Sequence, residues 1–319
     1  MARKPLAYHG ERVTDPAGLH VRNFFRQPFV DVLTALEQLA GVNGPPLRHR
    51  DAGSTEPGAP RAKHRPADPR GVRVLVVPFV TLVVTWFVYV PIHELLHVLG
   101  CVATGGTVTR LELSARYGAN LLSKVFPFVV SGSDYAGQLK GFDTHGSDLC
   151  YLATDFLPFV LSILIGVPLV KLAGRRRRPI VFGMAVVLGL APFYNLPGDY
   201  FEMASIITTR SLSAVTSGGT PSGGESGVSE NAAPAVERVR AFEKLRSDDI
   251  FRLLSDVTNH PEKLGLETLR SKLVAAALIV VSAALAVILA FGTYWAGHLL
   301  CRVLRPRPGV GPPMTAAVR

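Results

Sequence analysis

The chain has 319 residues, enough for one large domain or two ordinary ones; 48% of them are hydrophobic and only 18% are charged. The apolar residues gather in long blocks without the dispersal of a globular core, which excludes a plain soluble protein, and a block beyond about 18 residues reads as a membrane span. The net charge of +10 lies in basic clusters beside these blocks, with no aromatic-studded basic stripe. The partner it implies is a lipid bilayer and not nucleic acid.

Residues 1–71 are polar and Pro-rich, and the composition predicts a largely disordered region. No early apolar core of a secretory signal is visible, so the first span is expected to serve as its own insertion signal. Within this region FVDVLTALEQLAGV, 29–42, has helical apolar spacing and predicts a short amphipathic helix lying on the membrane. The first apolar block runs from Val72 to about Ala103, interrupted only by Arg73, His93, Glu94 and His97, with Pro78 and Pro91 able to bend it. A moderately polar insert follows at 104–150, where TVTRLELSARYG, 107–118, alternates roughly in period two and predicts a strand or hairpin.

The second block, from about Tyr151 to Leu172, contains Asp155 and closes at the run Arg175 to Arg178. The third, from Ile180 to about Ile207, is broken by PFYNLPGDYFE. Residues 211–235 are rich in Ser, Gly, Thr and Pro and predict a flexible linker. AVERVRAFEKLRSDDIFRLLSDV, 235–257, reads as an amphipathic helix, and a fourth block, from about Leu273 to Ala296, precedes a basic tail. The expected fold is an all-α membrane protein of about four transmembrane helices, with a small β-like insert after the first. Its divisions are the N-terminal region 1–71, a three-span core 72–208, linker and amphipathic helix 209–271, a C-terminal span 272–300 and the tail 301–319. The basic clusters fall on one side of a four-span multi-pass protein, which places both termini in the cytoplasm.

The chemistry concentrates in HELLH. Positions i and i+4 of a helix share a face, so His93 and His97 present two imidazoles to one metal ion. Zinc moves the pKa of a water it holds toward about 7, and Glu94 is placed to take that proton as general base. Two His and one Glu inside an apolar span are costly without a partner, which favours a metal site over solvated side chains. A third protein ligand is then needed. Asp199, in a Pro/Gly-broken stretch, is the first candidate: it lies 20 residues after Pro179, as His93 lies 20 after Arg73, so both reach the same depth, about 30 Å along if helical. Glu202, one turn later, is the rival ligand or a supporting partner. Asn195 is a candidate for binding substrate backbone or for a turn, and Asp155 for supporting a ligand histidine or for capping its helix. His145 and Asp143 read as solvated loop residues, and His298 as an interface residue beside Trp295. The three cysteines, Cys101, Cys150 and Cys301, show no CxxC spacing and imply no cysteine-zinc site. Cys101 and Cys150 fall at one membrane face, which permits a disulfide, although free apolar thiols are the expected state.

HELLH in an apolar block, the GGTVTRLELSARYG segment after it and APFYNLPGDYFE in a later block together resemble the site-2 protease family of intramembrane zinc metalloproteases. The resemblance covers about residues 72–208. It implies Zn2+ held by His93, His97 and Asp199, Glu94 as catalytic base, and cleavage of membrane-anchored protein substrates within or near their spanning helix. Two departures stand out: Asp199 follows Asn195 by four residues where the family has eight, and Tyr200 stands where the family has Gly. The charge distribution also turns the site to the outer face, opposite to the family's usual side. The alternative reading is a non-proteolytic metal-binding membrane protein, a transporter or sensor scaffold.

Overall fold

The computed structural model describes residues 21–40, 70–133, 135–176, 178–216, 245–246 and 249–304. The rest of the expected disordered N-terminal region, the linker beyond 216 and the tail beyond 304 lie outside these described residues. Helix α1, Val21–Ala40, starts eight residues before the expected 29 and runs through Pro28. It packs against the bundle. Asp31 is drawn into the bundle, where Lys171 Nζ stands 2.5 Å from its carboxylate and the Tyr294 hydroxyl donates to it at 2.9 Å. A buried carboxylate must find such partners, and here they dock the helix. Trp295 Nε1 donates to the Phe24 carbonyl at 2.9 Å. His298 contacts the Trp295 ring as expected and is buried against protein, with Nδ1 3.6 Å from Asp31.

Helix α2, Arg70–Ala103, is continuous over 34 residues through both Pro78 and Pro91, so neither proline divides it. It is apolar all round. Only 17% of its most apolar stretch is buried by protein, and exposed Phe79, Val84 and Val88 need lipid around them.

The insert folds as a three-stranded sheet of order β2-β1-β3, with β1 Thr107–Leu113, β2 Val129–Ser131 and β3 Gly137–Asp143. β1 pairs parallel to β2 and antiparallel to β3, in register Leu111 with Leu139 and Leu113 with Gly137. The predicted strand stops at Leu113; 115–117 form a 3-10 turn that ends at Gly118 with φ 83°. Period-two alternation turns Leu111 and Leu113 onto Val90 and Val98 of α2. The opposite pleat holds Glu112, with Lys140 Nζ at 2.5 Å and Arg110 at 2.8 Å. The hydrogen bond and charge of Lys140, with Arg110, hold the Glu112 carboxyl below its ordinary value. A carboxyl depressed on folding stabilises above its unfolded pKa, about 4.3, and that contribution disappears as pH falls through the folded value. Glu112→Gln is therefore expected to flatten the acid limb of thermal stability below about pH 4.3 while changing little of its shape at pH 7. Circular-dichroism melts of both proteins across that range check it, and parallel acid limbs would contradict it.

Helix α3, Asp148–Phe156, is N-capped by Ser147, whose Oγ accepts from Cys150 N at 3.2 Å. It continues through 3-10 and π turns at 157–166 into α4, Val167–Arg176, as one apolar span, Asp148–Arg175. The block expected as the third span is α5, Pro179–Gly189, then a broken stretch to residue 200, then α6, Phe201–Thr216. α6 makes 211–216 helical where a linker was expected. Among the described residues, the amphipathic helix expected at 235–257 is present as α7, Ile250–Asn259, whose first turn Asp249 caps by accepting from Phe251 N and Arg252 N. Residues 235–244 lie outside the described ones. Helix α8, Leu269–Val303, opens with a Thr268–Ser271 capping box.

The protein is thus mostly helical. Among the described residues three helices are long and apolar enough to cross a membrane: Leu75–Ala103, Asp148–Arg175 and Leu269–Val303. The four-span count is not reached by continuous helices, since Pro192, Pro197 and Gly198 interrupt the remaining block. α2 packs against α3, α5 and the sheet, while α8 packs on α4, α6 and the broken stretch.

Candidate metal centre

Helical spacing stacks His93 and His97 on one face of α2 and brings their Nε2 atoms to 3.1 Å. Asp199 Oδ2 stands 3.1 Å from His93 Nε2 and 3.7 Å from His97 Nε2. Asp199 can reach them because α5 ends early. Pro197 carries no N–H, and Gly198 adopts non-helical angles, φ −103° and ψ −113°. Asn195 spends its side-chain amide on the Ala191 carbonyl, 3.0 Å away, inside its own turn. Tyr200 then fixes the break. Its ring lies 4.4 Å from that of Phe159 and its hydroxyl donates to Thr293 Oγ1 of α8 at 2.8 Å. A tyrosine at this position anchors the residue next to Asp199, a job glycine could not do.

The donor set fits a metal. A tetrahedral zinc with bonds of about 2.0–2.1 Å needs donors about 3.3–3.4 Å apart, and the three separations straddle that value. The second ring nitrogens are also held, as ligating histidines require. His97 Nδ1–H donates to the Thr154 carbonyl at 2.9 Å, which can only accept, so Nε2 keeps its lone pair. His93 Nδ1 lies 2.7 Å from the Tyr89 hydroxyl. Both imidazoles are buried, at 6% and 7% exposure, and acceptors converging at 3.1 Å call for a metal ion or a shared proton among them. His93, His97 and Asp199 could together hold one metal ion.

The Thr154 carbonyl arrives because α3 crosses α2 at a glycine. A Cβ on Gly100 would stand 2.6 Å from the Ala153 carbonyl oxygen and 2.9 Å from Thr154 Cα. Gly100→Ala is therefore expected to push α3 away, break the His97 bond and weaken metal binding about 10–100-fold, the usual cost of losing such an outer hydrogen bond. Competition with a chromophoric chelator measures it, and wild-type affinity would show that α3 does not orient His97.

Glu94 lines the same cavity, a space of about 990 Å³. Its carboxylate lies against β3: a Cβ on Gly137 would come within 2.5 Å of Glu94 Cγ and 2.9 Å of Oε1. Only glycine leaves this room. β3 lines the cavity, as do Arg246, Arg252, Leu253 and Asp256 from the segment around α7. That segment is seated by buried Leu245, Leu253, Leu264 and Leu266 and by Arg246, which bonds Asp148 at 3.1 Å and Thr209 at 3.0 Å.

The other expected residues fall differently. Glu202 accepts from the Tyr151 hydroxyl and lies outside the donor triad. Asp155 neither caps its helix, which Ser147 does, nor supports a histidine, since Tyr89 and Thr154 do so. It is buried in the cavity wall, and among the described residues Oδ2 has no hydrogen-bond partner. His145 and Asp143 form an exposed ion pair at 3.2 Å outside the triad. Tyr89 was legible in retrospect, four residues before His93 on the same face. Thr154 acts through its backbone and β3 through its edge, so neither carried a side-chain signal. Comparison with protein families, curated proteins and solved structures finds no match for this chain.

Proposed function

We propose that the protein is an intramembrane zinc endopeptidase of the site-2 protease kind, cleaving membrane-anchored protein substrates within or near their spanning helix. The observation that carries this reading is the convergence of His93, His97 and Asp199 in a cavity whose wall also holds Glu94. Soft-to-borderline nitrogen donors with one carboxylate suit zinc, which when bound supplies the Lewis acidity that makes water nucleophilic at neutral pH. Glu94 receives the proton of the attacking water and returns it to the departing amine, so one carboxylate serves as base and then acid. The broken helix α5–α6 counts as a fourth crossing, its irregular backbone tolerated because it lines the cavity.

A peptide bond inside a substrate helix is shielded by its own hydrogen bonds, so the substrate must unwind before it reaches Glu94. The strand edge best placed to receive it is that of β3. β1 is paired on both sides, whereas the outer edge of β3 is free of any strand among the described residues and borders the cavity. An unwound segment adds to β3 beside Gly137, with its backbone hydrogen-bonded and its scissile bond directed at Glu94. The test is cleavage of a membrane-anchored reporter in reconstituted bilayers by the wild type but not by Glu94→Gln. Equal cleavage by the variant overturns the proposal.

A further inference from the structure

Cys101 is the next residue after His97 on the metal-bearing face of α2, four positions on. Cys150 stands four positions before Thr154 on α3, and the Thr154 hydroxyl donates to the Cys150 carbonyl at 2.8 Å. The two cysteines therefore repeat, one turn toward the helix end, the α2–α3 contact that the His97–Thr154 bond makes. Their sulfurs meet over Gly106. A Cβ there would be 2.5 Å from Cys101 Sγ and 2.8 Å from Cys150 Sγ, so the sulfurs are no further apart than those two lengths combined. The Cys150 thiol donates to the Cys101 carbonyl at 3.6 Å, and the Gly106 N–H donates to the same oxygen at 2.9 Å. Both thiols are free and buried, at 0% and 1% exposure, but the end of α2 and the turn that follow Cys101, 102–105, are exposed.

We infer that Cys101 and Cys150 form a redox-active dithiol, a disulfide-forming site that ties α2 to α3 beside the metal centre. From within that bound, rotation about the two Cα–Cβ bonds brings the sulfurs to bonding distance. The co-substrate is a low-molecular-weight disulfide, admitted when the exposed end of α2 and the turn at 104–105 open. One cysteine thiolate attacks the oxidant's S–S bond and expels its first thiol. The other cysteine then attacks the mixed disulfide, forming the Cys101–Cys150 bond and expelling the second thiol. Two protein thiols lose two electrons and two protons, and one small disulfide becomes two thiols. The bond closes the loop that carries the whole β-sheet, so the oxidised protein holds its sheet and its α2–α3 contact more firmly than the reduced one.

The test uses the purified full chain, incubated with oxidised glutathione or with dithiothreitol, then denatured and alkylated for intact-mass analysis. The expected result is three alkylated thiols after reduction and one, at Cys301, after oxidation, with the thermal midpoint several degrees higher in the oxidised form. Cys101→Ala and Cys150→Ala should each abolish that midpoint difference. Three alkylated thiols after oxidation, a bond mapped to Cys301, or a redox-dependent midpoint that survives in both variants would overturn the inference. The thiol count requires neither bound zinc nor cleavage, so its failure is separate from failure of the protease reading.

Discussion

Glu94→Gln is expected to lower cleavage of a membrane-anchored reporter by about 10²–10⁴-fold while zinc content stays at the wild-type level. Glutamine preserves the shape of the side chain, so its fit against the backbone of Gly137 is retained. It cannot accept a proton from water near neutral pH, so only the proton-transfer contribution is removed. Zinc is retained because the donors that converge are His93, His97 and Asp199, and Glu94 is not among them. The loss should fall on kcat with little change in KM, since the substrate still meets the same strand edge. A variant that cuts at the wild-type rate would leave the metal centre without a hydrolytic role and would favour a transporter or sensor. A variant that loses zinc as well would show Glu94 to be a ligand.

The second large effect separates the two carboxylates that the sequence left in competition. Asp199→Ala and His93→Ala are each expected to reduce zinc in the purified protein to a small fraction of the wild-type content. Glu202→Ala should retain it. Asp199 Oδ2 is 3.1 Å from His93 Nε2, whereas Glu202 accepts from Tyr151 and lies outside the triad. Removing a direct donor should cost more than the about 10–100-fold that follows loss of an outer hydrogen bond. Metal analysis of the four proteins side by side decides it. Full zinc in Asp199→Ala, or its loss in Glu202→Ala, would reverse the assignment.

The sequence was informative wherever chemistry follows from local geometry. HELLH specifies two imidazoles on one helical face because the period of the helix is fixed, and Pro197–Gly198 specify a break because neither residue sustains a helix there. His93 and Asp199 meet at 3.1 Å, as their equal offsets along the two blocks anticipated, although the path to Asp199 is broken helix and not a continuous one. α1 was recognisable as amphipathic, but its docking depended on Lys171, some 140 residues later, finding Asp31. The part of the amphipathic stretch 235–257 that is described, Ile250 onward, is helical, and Asp249 caps it.

By itself, then, the sequence determined the membrane character, the histidine pair with its neighbouring glutamate, and a broken helix able to supply a carboxylate. Only the tertiary structure decided which carboxylate converges, which groups hold the second ring nitrogens and which strand edge borders the cavity. The physical reason is range. Helix periodicity and helix breaking act within a few residues, whereas the Thr154 carbonyl reaches His97 only because α3 crosses α2 at Gly100, and β3 borders Glu94 only because Gly137 leaves room for it.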